Sequence, residues 1–235
     1  MPDIRILTDD EMAQIDLRQK HQQIQWKALP EQGHIQSFQG MELLVLPGIF
    51  PPKDDTNLLA AYVCIESGSR VLDIGTGTGA LALWAAQNDA ASVIAVDIAE
   101  AAVGNAKRNV ERLEMENRVE VRSGNTFSCI APAESFDIII ANLPGRNKPA
   151  DDDASAAQWD TEFKAHKALF AGAKHHLRPG GRIYMVKANY PDLLEMIDLA
   201  ECEGYEVAFI GQSDSASGDP RHYHVLSISV ASQGV

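Results

Sequence analysis

Two carboxylates and a run of glycines are the residues of this chain best placed to do chemistry. In Val71-Leu72-Asp73-Ile74-Gly75-Thr76-Gly77-Thr78-Gly79-Ala80, three alternating glycines follow an apolar run and precede a helix-forming one. Glycine at such a turn lets backbone N–H groups come close to a bound ligand. Asp73 stands two residues before the first glycine, a position expected beside the ligand, where a carboxylate suits a cationic group and repels a pyrophosphate. Asp97 follows eighteen residues after Gly79, at the end of Val93-Ile94-Ala95-Val96-Asp97, where it can accept two hydrogen bonds from a ribose diol. Further along, Asn125 offers a side-chain acceptor within Gly124-Asn125-Thr126-Phe127. Asn142-Leu143-Pro144-Gly145 offers an amide oxygen and backbone carbonyls able to accept substrate N–H groups.

Gly75, Gly77 and Ala80 also satisfy the GxGxxG/A spacing of a dinucleotide site, so an NAD(P)-dependent oxidoreductase is an alternative. Asp97 serves either reading, because both kinds of cofactor contain adenosine. Asp73 favours a ligand with a cationic end, and a chain of 235 residues leaves little room for the separate substrate domain a dehydrogenase usually needs.

These residues need strands to hold them. From Pro47 onward, short β-branched runs alternate with amphipathic stretches, the pattern of βαβ units building a parallel sheet. Strands are expected over 71–74, 92–97, 118–122, 136–141 and 182–187, with helices over 57–66, 80–87, 100–113 and 159–177. Tyr205 to Gly211 and His222 to Val230 are joined by a Ser/Asp/Gly-rich connection, so the last strand should run antiparallel to its predecessor. Upstream, Thr8-Asp9-Asp10-Glu11 matches a capping box opening a helix to about Lys27, and two short extended segments flank Gly40. The expected fold is α/β: a Rossmann-like, mostly parallel seven-stranded sheet with a reversed last strand. Residues 1–46 form a small helical and hairpin appendage, and residues 47–235 the main domain.

Composition narrows the partners. A formal charge of −13 opposes an extended nucleic-acid footprint, and the bases between Lys107 and Arg122 are interleaved with glutamates. No apolar run reaches the roughly 18 residues of a membrane span, and the start of the chain lacks the pattern of a secretory leader, so a cytoplasmic protein is expected. Cys64, Cys129 and Cys202 have no metal or redox spacing and read as buried, reduced thiols. His222 and His224 share a strand face without a third ligand at a diagnostic spacing, and no metal site is expected. The loop from Arg146 to Trp159, with Asp151, Asp152 and Asp153, should overhang the site, where its aspartates would favour a cationic substrate.

Taken together, Asp73 to Gly79, Asp97 and Gly124 to Phe127 resemble the first three motifs of the class I S-adenosylmethionine-dependent methyltransferases. Leu46 to Phe50 followed by Asp55 to Leu59 is similar to the lead-in of the small-domain N-methyltransferases. Asn142 and Pro144 match the Asn-Pro-Pro-aromatic motif of enzymes that methylate amino nitrogens, while Leu143 and Gly145 depart from it. The resemblance implies S-adenosylmethionine as cofactor, held by Asp73, Gly75, Thr76, Gly77, Gly79, Asp97, Ile98, Asn125, Thr126 and Asn142. Asn142 and Pro144 are then the catalytic pair, orienting an acceptor nitrogen. Because the chain is acidic and its appendage small, a small-molecule nitrogen acceptor is expected first, with a protein glutamine amide or an RNA base as alternatives. A catalytically silent adenosyl-ligand-binding module is a further alternative, and the N-terminal helix could mediate a homodimer.

Overall fold

The computed structural model describes residues 4–213 and 219–231. Helix α1 (Asp9–Lys27) leads into a hairpin, β1 (His34–Phe38) and β2 (Met41–Val45). There follow α2 (Asp54–Tyr62), β3 (Arg70–Ile74), α3 (Ala80–Gln87), β4 (Ser92–Asp97), α4 (Glu100–Arg112), β5 (Val119–Ser123) and β6 (Phe136–Ile140). The chain continues through α5 (Asp153–Ala156), α6 (Lys164–His176), β7 (Leu177–Ala188), α7 (Asp192–Cys202), β8 (Tyr205–Gln212) and β9 (Tyr223–Val230).

The main sheet has seven strands in the order β5-β4-β3-β6-β7-β9-β8. Strands β3 to β7 pair in parallel, and β9 lies antiparallel between β7 and β8, so the reversed last strand is present as expected. The winding changes direction between β3 and β6. That leaves a crevice outside the carboxyl ends of these two strands, the place where open α/β sheets bind ligands. The glycine loop after β3 and the Asn142 loop after β6 both open onto it.

Alternation along the central strands builds two cores. Val71, Ile138 and Ile140 pack on one face of the sheet, and Leu72 and Ile139 on the other, because successive Cβ atoms point to opposite sides. All five are buried, and each such side chain contributes about 1.5–3 kcal/mol by leaving water. The hairpin is sewn to α4 by two buried asparagines. Asn109 Oδ1 accepts from Leu44 N at 2.7 Å and Asn105 Oδ1 from Leu46 N at 2.8 Å, and both Nδ2 groups donate to Leu44 O.

Several boundaries differ from the sequence reading for identifiable reasons. Helix α2 starts at Asp54, where Thr56 Oγ1 accepts from Lys53 N and closes the first turn. Helix α6 starts only at Lys164, because Glu162 and Phe163 are left-handed at φ 59° and 54° while Trp159 forms a β-bridge with Arg146. Helix α7 was not anticipated, although Leu193, Met196, Ile197 and Ala200 bury one face at helical spacing. The thiols are also corrected: Cys64 and Cys202 are exposed and Cys129 half-buried, since the first and last lie at helix ends rather than on core faces. His222 precedes β9 rather than sharing a strand face with His224, its backbone N–H donating to Asn189 Oδ1, and His224 is buried edge-on to Phe209. Half of the connection between β8 and β9, residues 214–218, lies outside the described residues.

Candidate functional site

A cavity of 740 Å³ occupies the crevice, a volume suited to a small ligand plus the reacting part of a second one. One end is formed by the glycine loop. Gly75, Gly77 and Gly79 all have positive φ, at 74°, 56° and 83°, a conformation side-chain-bearing residues rarely adopt. Beside Gly77 the nearest atom to an added Cβ would be Phe50 O at 3.9 Å, so the loop's backbone faces open space.

Asp97, at the end of β4, lines this end. Its carboxylate accepts from Gly77 N at 2.9 Å and from Ala99 N at 3.0 Å, which anchors the group and ties the glycine loop to the start of α4. Burial raises its pKa, and the two backbone donors act against that rise. Asp73 sits one layer deeper, buried beneath the loop rather than on the cavity wall. Its Oδ2 accepts from Thr76 Oγ1 at 2.6 Å, while Oδ1 has no partner among the described residues. Burial pushes Asp73 up to about 7, and the nearby Asp97 adds to the rise. An anchored carboxylate on the wall, an orphaned carboxylate oxygen below and an open glycine backbone fit a ligand with a ribose diol and a cationic end, as S-adenosylmethionine has. Two carboxylates suit a pyrophosphate poorly.

The third wall comes from the turn after β5. Asn125 N donates to Ser128 Oγ at 2.8 Å, and the exposed Asn125 lines the cavity. Thr126 has φ 49°, unusual for a β-branched residue and of the kind found at ligand sites. Ile98, 67% exposed, presents an apolar surface on the same wall. The structure therefore brings Gly75, Thr76, Gly77, Asp97, Ile98, Asn125, Thr126, Asn142 and Pro144 to one cavity. Asp73 and Gly79 lie just behind it. Gly79 begins α3, where an added Cβ would come within 3.3 Å of Ala106 Cβ.

At the other end Asn142 follows β6. Its Nδ2 donates to Thr56 Oγ1 at 3.3 Å, and its side chain also bonds the Asp55 carboxylate. With the amide nitrogen held by α2, the Asn142 oxygen is left as the acceptor. The Leu143 and Pro144 carbonyls, expected to take a second substrate N–H, are already engaged: Lys187 Nζ donates to them at 2.6 and 3.3 Å. Lys187 is 4% exposed, and burial lowers its pKa to about 7. Gly145 lacks a side chain, and a Cβ there would lie 3.3 Å from Tyr190 Cε2. An aromatic ring from the loop after β7 thus stands against the position that the motif fills with its own aromatic.

Helix α1 and the long loop after β6 cover this end, and their contacts are polar. Trp159 Nε1 donates to Gln19 Oε1 and Gln23 Nε2 to Gln158 Oε1, both at 2.9 Å. Arg146 reaches Asp16 at 2.7 Å and Asp192 at 3.2 Å, and Lys148 reaches Asp16 at 2.6 Å. Of the three loop aspartates, Asp152 caps α5 and pairs with Lys27, and Asp153 lines the cavity. Below the loop the buried Asp160 accepts from His166 Nδ1 at 2.6 Å. Burial holds His166 neutral, down to about 4, with Nε2 unpartnered.

Sequence reasoning missed Lys187, Tyr190 and the Asp160–His166 pair. Only Lys187 carried a legible signal, a lysine inside the apolar run Ile183 to Ala188 at the carboxyl end of a strand. Among the described residues no group of three potential metal ligands occurs, and no helix is long and apolar enough to cross a membrane.

Comparison with known proteins gives consistent results. A family model described as methyltransferase small domain matches residues 40–202. A release factor glutamine methyltransferase of Koribacter versatilis is 34% identical over 172 residues, covering 65% of this chain and 59% of that protein. A tRNA1(Val) (adenine(37)-N6)-methyltransferase of Bacteroides thetaiotaomicron is 41% identical over 92 residues, 38% of each chain. The chain thus spans less than two thirds of the length of these relatives. Among solved structures, the 16S rRNA N2 G1207 methyltransferase of T. thermophilus superposes with a TM-score of 0.61 at 23% identity, over 83% of this chain and 49% of that one, a likeness of fold.

Proposed function

This chain belongs to the methyltransferase small domain family of the class I S-adenosylmethionine-dependent methyltransferases, and from that premise we propose that it methylates a planar amide or amino nitrogen carried by a macromolecule, a protein glutamine amide first. The observation that carries this reading is Asn142. Its amide nitrogen is held by Thr56 and Asp55, so its oxygen is presented to the cavity as an acceptor for a substrate N–H. The small-molecule acceptor expected from composition gives way to this reading because the relatives just described are named for protein and RNA substrates. The RNA base is the second reading, favoured by the 41% identical segment shared with a tRNA adenine enzyme and opposed by the net charge of −13.

S-adenosylmethionine, when bound, supplies an electrophilic methyl group on a sulfonium. We assign to its binding Asp97 for the ribose, Ile98, Asn125 and Thr126 for the adenine, and the Gly75 to Gly79 loop with Asp73 beneath it for the amino-acid end. Catalysis by the chain is then chiefly orientation. Asn142 Oδ1 accepts one acceptor N–H and turns the nitrogen lone pair toward the methyl group, and alignment of this kind can account for several kcal/mol of barrier. Tyr190 supplies the flat wall that Gly145 does not. The roof made by α1 and the Arg146–Trp159 loop restricts entry to a protruding side chain or an unstacked base.

The test is transfer of radiolabelled methyl from S-adenosylmethionine to purified bacterial release factors and, in parallel, to bulk tRNA. Label on the release factor, lost in Asn142→Ala with the melting temperature of the wild type retained, supports the first reading. Label on tRNA alone transfers the assignment to an RNA base, and label on neither removes both.

A further inference from the structure

We propose that Lys187 is the proton acceptor of the transfer, receiving on Nζ the proton that leaves the acceptor nitrogen. The inference rests on the nitrogen-methylation reading above and deepens it. A nitrogen that gains a methyl carbon must lose a proton: the N–C bond forms, the C–S bond breaks with its electron pair remaining on sulfur, and the N–H proton needs a lone pair to go to. Asn142 cannot take it, since an amide oxygen accepts a hydrogen bond but is too weak a base.

The contacts of Lys187 accommodate a neutral amine and give an ammonium no carboxylate partner among the described residues. A neutral amine has two N–H donors and one lone pair, and an ammonium has three donors and none. Nζ donates to Leu143 O at 2.6 Å and Pro144 O at 3.3 Å, its only hydrogen bonds among the described residues, and no carboxylate lies within ion-pair distance of it there. The two carbonyls take two of the three remaining positions on the nitrogen in either form; neither takes the third, which is a lone pair in the neutral amine, and Lys187 lines the cavity. The same two carbonyls belong to the loop that carries Asn142, which sets Lys187 Nζ beside the residues assigned above to the acceptor nitrogen.

The ionisable groups around Lys187 come from every neighbouring element. Asp55 at the start of α2 and Asp160 before α6 favour its protonation, and burial outweighs both. Asp160 is itself committed to His166 at 2.6 Å. His224 faces Lys187 across the β7–β9 pair, and Tyr223 adjoins it. Burial raises the Tyr223 pKa and lowers that of His224, which keeps both neutral near pH 7. Lys187, held near 7, changes charge in the working range.

Two variants separate a proton acceptor from a structural donor. Lys187→Arg keeps a cation able to donate to both carbonyls but cannot release its proton, and Lys187→Met removes the nitrogen. The direct measurement is NMR titration of lysine Cε carbons in the labelled wild-type protein, which needs no acceptor. One lysine signal should titrate near pH 7 and disappear in Lys187→Arg, whereas every lysine titrating above about pH 9.5 overturns the proposal. With the release factor or tRNA that the wild type methylates, kcat should rise with pH through about 7 and fall about 100-fold in Lys187→Arg, with S-adenosylhomocysteine affinity within twofold of wild type. Wild-type kcat in Lys187→Arg also overturns it. Absence of any methyl transfer by the wild type counts against the proposed function, and the titration still decides the state of Lys187.

Discussion

Asp73 and Asp97 are both carboxylates at one end of the cavity, yet their surroundings assign them different work. Asp97 is fastened by two backbone N–H groups and faces the ligand. Asp73 lies buried with one oxygen bonded to Thr76 and the other without a partner among the described residues. Its folded pKa of about 7 stands above the ordinary value of 3.8, so the folded chain binds the extra proton between these limits, and stability falls as pH rises through that window. Between pH 5.5 and pH 8 this one group contributes a loss of about 2 kcal/mol, which Lys187 and His166, both held below their ordinary values, oppose. Asp73→Asn should accordingly gain about 2 kcal/mol at pH 8 relative to pH 5.5 when compared with the wild type over the same interval. Thermal melts of both proteins at the two pH values check this, and an unchanged pH dependence in the variant locates the effect elsewhere. Both aspartates and Asn142 were legible in the sequence because loop chemistry and strand ends mark them. Lys187 and Tyr190 were not placed there, because their proximity to the Asn142 loop comes from the pairing of β6 with β7 and the turn that follows, which only the folded chain shows.

Among the elements, α1 was read from its capping box and found where expected, but its role was not legible. Its buried residues include Gln19 and Gln23, which look like surface residues until the loop after β6 folds over them. Arg146 is the centre of that contact, 9% exposed in its side chain and paired with Asp16 on α1 and Asp192 on α7. Removing one partner of a buried ion pair costs about 3–5 kcal/mol, so Arg146→Ala should lower the melting temperature and speed hydrogen exchange in α1 before the central strands. Equal exchange in α1 and β3 would show that the roof does not open separately. Strands β3, β4 and β6 were read to within a residue because both faces are buried and the apolar runs are continuous, whereas β7 begins at Leu177, five residues before the expected start, in a segment whose first residues are only partly buried or exposed. Helices α2, α6 and α7 were misplaced or missed because their limits depend on Thr56, on left-handed Glu162 and Phe163, and on a short 11-residue helix between two strands.

At the scale of the whole molecule, the order β5-β4-β3-β6-β7-β9-β8 places the glycine loop and the Asn142 loop on either side of one crevice. The acceptor chemistry therefore follows from where the sheet reverses direction. The surface carries a formal charge of −13 and two exposed thiols, Cys64 and Cys202, with Cys129 half-buried and its pKa raised by burial. Ellman's reagent should label two thiols promptly in the native protein and the third only on unfolding; three equal rates would contradict the packing around Cys129. The decisive measurement is calorimetric titration of the wild type and of Asp97→Ala with S-adenosylhomocysteine, and of the wild type with NADH. Tight binding of S-adenosylhomocysteine to the wild type, weakened at least tenfold in Asp97→Ala, with no heat from NADH, is the expected result, a tenfold loss being about 1.4 kcal/mol. Binding of NADH alone, or equal binding of S-adenosylhomocysteine to both proteins, would contradict the assignment of the glycine loop and Asp97 to an adenosyl sulfonium ligand.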